Sequence, residues 1–131
     1  MSEWYDNQKN KVEYIEYVPT KTLDQIVIEE KVDIGSVLIT KIDVEGMEET
    51  VLKGSIEFLT ANEAPILLEY RADVIKKYLD TDMQGILDIF ERFDYSIYAL
   101  TGEGSIIDFN PRISYENIVA IKRGYKIDYL R

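Results

Sequence analysis

Apolar positions along this chain fall into two spacings, the two-residue alternation of strands and the three-to-four-residue recurrence of helices. Val12 to Val18 (Val-Glu-Tyr-Ile-Glu-Tyr-Val) is rich in β-forming residues and predicts a strand, closed by Pro19. Thr22 with Gln25 three residues later fits a capping box. It opens a short helix to around Lys31, on which Leu23, Ile26 and Val27 share one face. Val37 to Val44 is a mostly apolar, β-branched run, the pattern of a parallel strand covered on both faces. Glu45-Gly46 ends it. Val51, Leu52, Ile56 and Leu59 then recur at helical spacing and predict one helix from Glu48 to Thr60.

Pro65 to Tyr70 predicts a second buried strand, and Ala72 to Leu79 a turn or two of helix. Met83, Ile86, Leu87 and Phe90 define an amphipathic helix ending near Phe93. Tyr95 to Leu100 and Ser105 to Phe109 are β-runs joined by Thr101-Gly102-Glu103-Gly104, a hairpin, and Asn117 to Lys122 is a last strand. Strands alternating with helices predict an α/β fold with a mostly parallel sheet and antiparallel C-terminal strands. With no repeat, linker or low-complexity tract, residues 1–131 form a single domain.

The formal charge of -10 makes nucleic-acid and membrane surfaces poor partners, because both are anionic. The chain has no cysteine and no histidine, so thiolate chemistry, imidazole bases and the commonest transition-metal ligands are excluded. No apolar run reaches the roughly 18–20 residues of a membrane helix, and the polar start is unlike a signal peptide. A cytoplasmic protein without a metal is the expectation.

The segment Lys41-Ile42-Asp43-Val44-Glu45-Gly46-Met47-Glu48, with Val51-Leu52 and Gly54 behind it, resembles the signature of FkbM-family methyltransferases. Thr22-Leu23-Asp24 upstream and Ile66-Leu67-Leu68-Glu69 downstream are similar to flanking elements of that family. So are Phe93-Asp94-Tyr95 and Asn117-Ile118-Val119. The resemblance covers residues 21–122, leaving 1–20 as an extra N-terminal strand or tail. It implies a partial Rossmann-like methyltransferase fold, in which Val37 to Val44 is the fourth strand of a seven-stranded sheet and Pro65 to Tyr70 the fifth. It also implies S-adenosylmethionine as cofactor and methyl transfer to a hydroxyl of a small-molecule acceptor, such as a metabolite or sugar.

The glycine-rich turn that carries the cofactor in such folds lets backbone approach ligand without a Cβ clash. No glycine precedes Gly35, and Gly102-Glu103-Gly104 has no helix after it. The residues before Thr22 are too few for three strands with their helices, since one βαβ unit alone takes ~30. The expectation is therefore the back half of the domain, either needing a partner for cofactor binding or serving as a non-catalytic interaction module. In either case association follows, as a homo-oligomer or with a chain carrying the front half, because an uncovered strand edge templates pairing.

Ligands of open α/β sheets bind beyond the carboxyl ends of the strands, which makes Asp43 and Glu45 the candidate catalytic residues. Asp43, ending an apolar run, is expected to be a proton acceptor with a pKa raised by burial. Lys41, Glu48 and Glu69 are candidates on the acceptor side. Each has a plainer reading: Glu45 or Glu48 as a favourable charge at a helix N-terminus, and Lys41 as a strand residue that snorkels. Lys41 alternatively pairs with a carboxylate and keeps it ionised. Thr22 reads as a cap, and Asp24 as a cap or a ligand.

Overall fold

A computed structural model describes residues 16–70, 83–113 and 115–125. The predicted strand Val12–Val18 lies mostly outside them, and its described part, Glu16 to Val18, forms no strand and leaves Tyr17 and Val18 exposed. The turn of helix expected over Ala72–Leu79 also lies outside, as does most of the tail after Gly124.

The first helix, α1 (Leu23–Glu29), begins at the predicted capping box: Thr22 Oγ1 accepts from the Gln25 N–H, and Gln25 Oε1 accepts from the Thr22 N–H. Leu23 and Val27 pack on the core, whereas Ile26 lies beside them 41% exposed. Lys31, at φ 53°, closes the helix. Its N–H bonds the Ile28 carbonyl while the Val32 N–H bonds that of Val27, a Schellman pattern built without glycine.

A single 3₁₀ turn, Ile34–Ser36, leads into β1 (Thr40–Ile42). The predicted strand Val37–Val44 shrinks to three residues for a physical reason. Its neighbour β2 (Ile66–Glu69) starts just after Pro65, so among the described residues those before Thr40 have no strand to pair with. Leu38 is 86% exposed and Ile39 60%, so this segment is not covered on both faces.

The predicted helix Glu48–Thr60 is two helices, α2 (Glu48–Lys53) and α3 (Ile56–Ala61). Gly54 separates them where the chain passes α1. A Cβ there would meet Thr22 Cβ and Cγ2 at 3.0 Å. Asp24 restarts the helix by accepting from the N–H groups of Glu57 and Phe58.

After β2 come α4 (Gln84–Arg92), β3 (Tyr95–Leu100), β4 (Ile106–Asp108) and β5 (Asn117–Lys122). The sheet order is β1-β2-β5-β3-β4. β1 and β2 are parallel, and β5 runs antiparallel to both its neighbours, β2 and β3. β1, β2 and β3 therefore point one way, β4 and β5 the other, as expected for a partial Rossmann-like fold with antiparallel C-terminal strands. This α/β sheet buries one face under the described helices. Ile42, Ile66, Leu68, Ile118 and Ala120 meet Leu52, Phe58, Leu59, Ile86 and Phe90 there. Alternate residues, among them Lys41, Leu67, Glu69 and Val119, face the other way.

No helix among the described residues is long and apolar enough to cross a membrane.

Candidate functional site

Parallel pairing of β1 with β2 puts their carboxyl ends side by side. Lys41 lies opposite Leu67 and Ile42 opposite Leu68, so the next residues along, Asp43 and Glu69, share one rim of the sheet. The antiparallel partner of Glu69 is Asn117, the first residue of β5, which joins the same rim. The sequence points to Asp43 and Glu69 separately. Their convergence, and the place of Asn117 beside them, come from register, which no local pattern encodes.

Lys41 ties the two carboxylates together. Its Nζ lies 2.7 Å from Asp43 Oδ2 and 3.7 Å from Glu69 Oε2. Of the two readings open for Lys41, the structure has the pairing one. The hydrogen bond from Lys41 is the main reason the Asp43 carboxyl is held below its ordinary value of 3.8, and its charge adds to that. This corrects the expectation of a burial-raised pKa: β1 is at the edge of the sheet among the described residues, and desolvation of Asp43 is outweighed. The bond to Asp43 in turn raises the Lys41 pKa above 10.5, with a smaller push from Glu69. All three side chains are partly exposed, so such pairs add little to stability.

The β1–α2 turn carries the remaining candidates. Glu45 has φ 51° and Gly46 φ 101°, and the Met47 N–H bonds the Val44 carbonyl. Two successive positive φ angles closed by that bond describe a type I′ turn. Glycine fits the second position without strain. Glutamate at the first is sterically disfavoured by roughly 1–2 kcal/mol, and its side chain stands in solvent. Glu48 is different. It is 2% exposed and its carboxylate accepts from the Gly46 N–H at 3.0 Å, which pins the turn from behind. Lys41, Asp43 and Glu69 are thus gathered at one point; Glu45 stands on the adjoining turn, and Glu48 lies beneath it.

Sequence reasoning gave no role to a second polar cluster at the opposite rim of the sheet, beyond the amino ends of β2 and β3. Asn62 is fully buried, and its Nδ2 donates to the Ala64 carbonyl and to Tyr95 Oη. Tyr95 Oη donates back to the Asn62 carbonyl at 2.8 Å, and Lys122 Nζ donates to the Leu59 carbonyl at 2.7 Å. These bonds satisfy the C-terminal carbonyls of α3 and fix it on the sheet.

Thr101 to Gly104 is the predicted hairpin turn, with Gly104 at φ 82° and the Thr101 N–H bonding the Ser105 carbonyl. A Cβ added to Gly102 or Gly104 meets no protein atom within 4 Å, as in an open hairpin turn. No group of three or more acidic side chains converges to hold a metal ion among the described residues.

A model of the methyltransferase FkbM domain matches residues 2–97, a stretch that takes in α1, the whole β1–α2 turn, β2, α4 and the start of β3. No curated protein and no solved structure matches the chain.

Proposed function

This chain belongs to the family of FkbM methyltransferase domains, and from that membership we propose that it serves methyl transfer from S-adenosylmethionine to a hydroxyl of a small metabolite or sugar. The observation that carries the reading is the position of Asp43. It is a carboxylate at the carboxyl end of β1, inside the family match, where ligands of open α/β sheets bind.

Asp43 acts by accepting a hydrogen bond from the acceptor hydroxyl, which orients the oxygen. As that oxygen gains its methyl group, the O–H bond breaks and the proton passes to an Asp43 oxygen, then to water. A protonated ether is a far stronger acid than a carboxylic acid, so a carboxylate held below its usual pKa still takes the proton. Glu45 stands on the adjoining strained turn, as strained positions at functional sites do.

S-adenosylmethionine would supply the methyl group. Residues of this chain, or of a second chain that completes the site, would hold it. Calorimetric titration of the full chain with S-adenosylmethionine and with its demethylated product tests this. Binding near the micromolar range supports a working or split enzyme. Absence of binding, alone and with any co-expressed partner, sinks it.

One observation favours a second reading, a non-catalytic association module. β1 has a strand on one side only among the described residues, and Leu38 and Ile39 beside it are exposed. Such an edge pairs with another chain, either a second copy or one carrying the front of the sheet. A defined dimer by light scattering, with no cofactor binding, supports it.

A further inference from the structure

Three side chains meet on the face of the sheet away from the described helices, and their arrangement is asymmetric. Lys41 engages one oxygen of each carboxylate, Asp43 Oδ2 and Glu69 Oε2. Both carboxylates are bound by Lys41, and the two carboxyl groups stand close enough for Glu69 to act on Asp43 as well. A lone exposed lysine has several rotamers of similar energy. One held between two strand ends has few, and it restricts the carboxylates it touches.

We propose that Lys41 is a positioning residue, clamping Asp43 and Glu69 into a single hydrogen-bond-accepting edge that presents Oδ1 and Oε1 to the acceptor. The inference rests on the reading of Asp43 given above and adds Glu69 to the acceptor-binding surface. Physically, the clamp does two things. It favours the ionised form of Asp43 further, and it fixes the separation between the two acceptor oxygens. Arginine can replace it, because a guanidinium bridges two carboxylates as well. A neutral side chain of similar length cannot. The clamp contributes little to folding, since the pairs are exposed, so its removal is expected to lower the melting temperature only slightly.

The test uses the full chain as wild type, Lys41→Met and Lys41→Arg. Carboxyl carbon NMR follows the titration of Asp43 and Glu69, and methyl transfer is assayed across pH with any partner the wild type requires. Lys41→Met is expected to move the Asp43 midpoint up to or past its ordinary 3.8, while Lys41→Arg keeps it low. In a turning-over enzyme Lys41→Met lowers kcat by roughly tenfold or more, shifts the acid limb of the pH profile upward and leaves the KM for cofactor unchanged. Lys41→Arg restores most of the rate. An unmoved Asp43 titration in Lys41→Met overturns the proposal, as does an unchanged kcat. If wild type transfers no methyl group under any condition, the functional reading fails, and the titration alone decides whether the clamp exists.

Discussion

Asp24 caps a helix that begins more than thirty residues further along the chain: its Oδ1 accepts from the Phe58 N–H at 2.9 Å and its Oδ2 from the Glu57 N–H at 3.0 Å. Helix α3 is six residues long, too short to persist without tertiary support. One carboxylate therefore joins α1 to α3 and gives α3 its first turn. Asp24→Ala is expected to destabilise the fold by roughly 1 kcal/mol, with Asp24→Asn recovering part of it. Urea unfolding monitored by circular dichroism measures both, and an unchanged midpoint in Asp24→Ala would refute the assignment.

That relationship also marks how far the chain could be read locally. Apolar spacing over residues 48–60 fits one helix, and the break falls at Gly54 because of what lies across from it, the Thr22 side chain. The capping box at Thr22 was legible, being wholly local. The hairpin β3–β4 and the strand β5 were legible for the same reason. The role of Asp24 as a cap for a distant helix was open between cap and ligand, since nothing within its own segment chooses.

Tyr95 and Asn62 form a closed pair in the interior: the Asn62 Nδ2 donates to Tyr95 Oη, which donates to the Asn62 carbonyl. Tyr95→Phe removes one partner and leaves that carbonyl in an apolar site. The expected loss is about 1–3 kcal/mol, the penalty for a buried polar group without a bond. Tyr98→Phe, at a half-buried position on β3, serves as the control and should stay within about 0.5 kcal/mol of wild type. Equal losses in both variants would show that the hydroxyl of Tyr95 contributes nothing specific.

Strain at Glu45 gives a prediction with opposite signs for stability and function. Its φ of 51° belongs to the region glycine enters freely. Glu45→Gly should therefore stabilise the turn, by up to about 1 kcal/mol after the entropy of the more flexible unfolded chain is deducted. If Glu45 serves the acceptor, as proposed, the same change lowers methyl transfer. A variant that gains stability and keeps full activity would return Glu45 to a merely tolerated strain.

Candidate site residues were legible only as types and spacing. Asp43, Glu45 and Glu48 look alike along the sequence, three carboxylates within six positions. The fold sorts them, sending Asp43 to the rim with Lys41, Glu45 into solvent on a strained turn, and Glu48 beneath that turn against the Gly46 N–H. The even spacing of Lys41 and Asp43 along one strand was enough to put them on one face. Glu69 joined them through the β1–β2 register alone.

Two lysines in this fold titrate in opposite directions, and their signs follow from their surroundings. Lys122 lies 4.6 Å from the centroid of the Tyr95 ring, with its Nζ on the Leu59 carbonyl; burial lowers its pKa below 10.5, against the attraction of Asp94 and Glu63. The native state then releases that proton before the unfolded chain does. Between the folded value and 10.5 the unfolded chain holds more protons, so stability from this group rises with pH and falls away as pH drops through the folded value. Lys41 is the reverse. Its pKa is raised, so its contribution is complete below 10.5 and is lost as pH climbs through the folded value. The matching contribution of Asp43, whose pKa is lowered, is complete above 3.8 and is lost as pH falls through its own folded value. Carbon NMR of the chain after reductive methylation of its lysines separates the two amines. Lys122 is expected to titrate below 10.5 and Lys41 above it, with Asp43→Asn bringing Lys41 down and leaving Lys122 in place. Coincident midpoints in the wild type would mean that neither the buried amine nor the bridging one is held as the geometry requires.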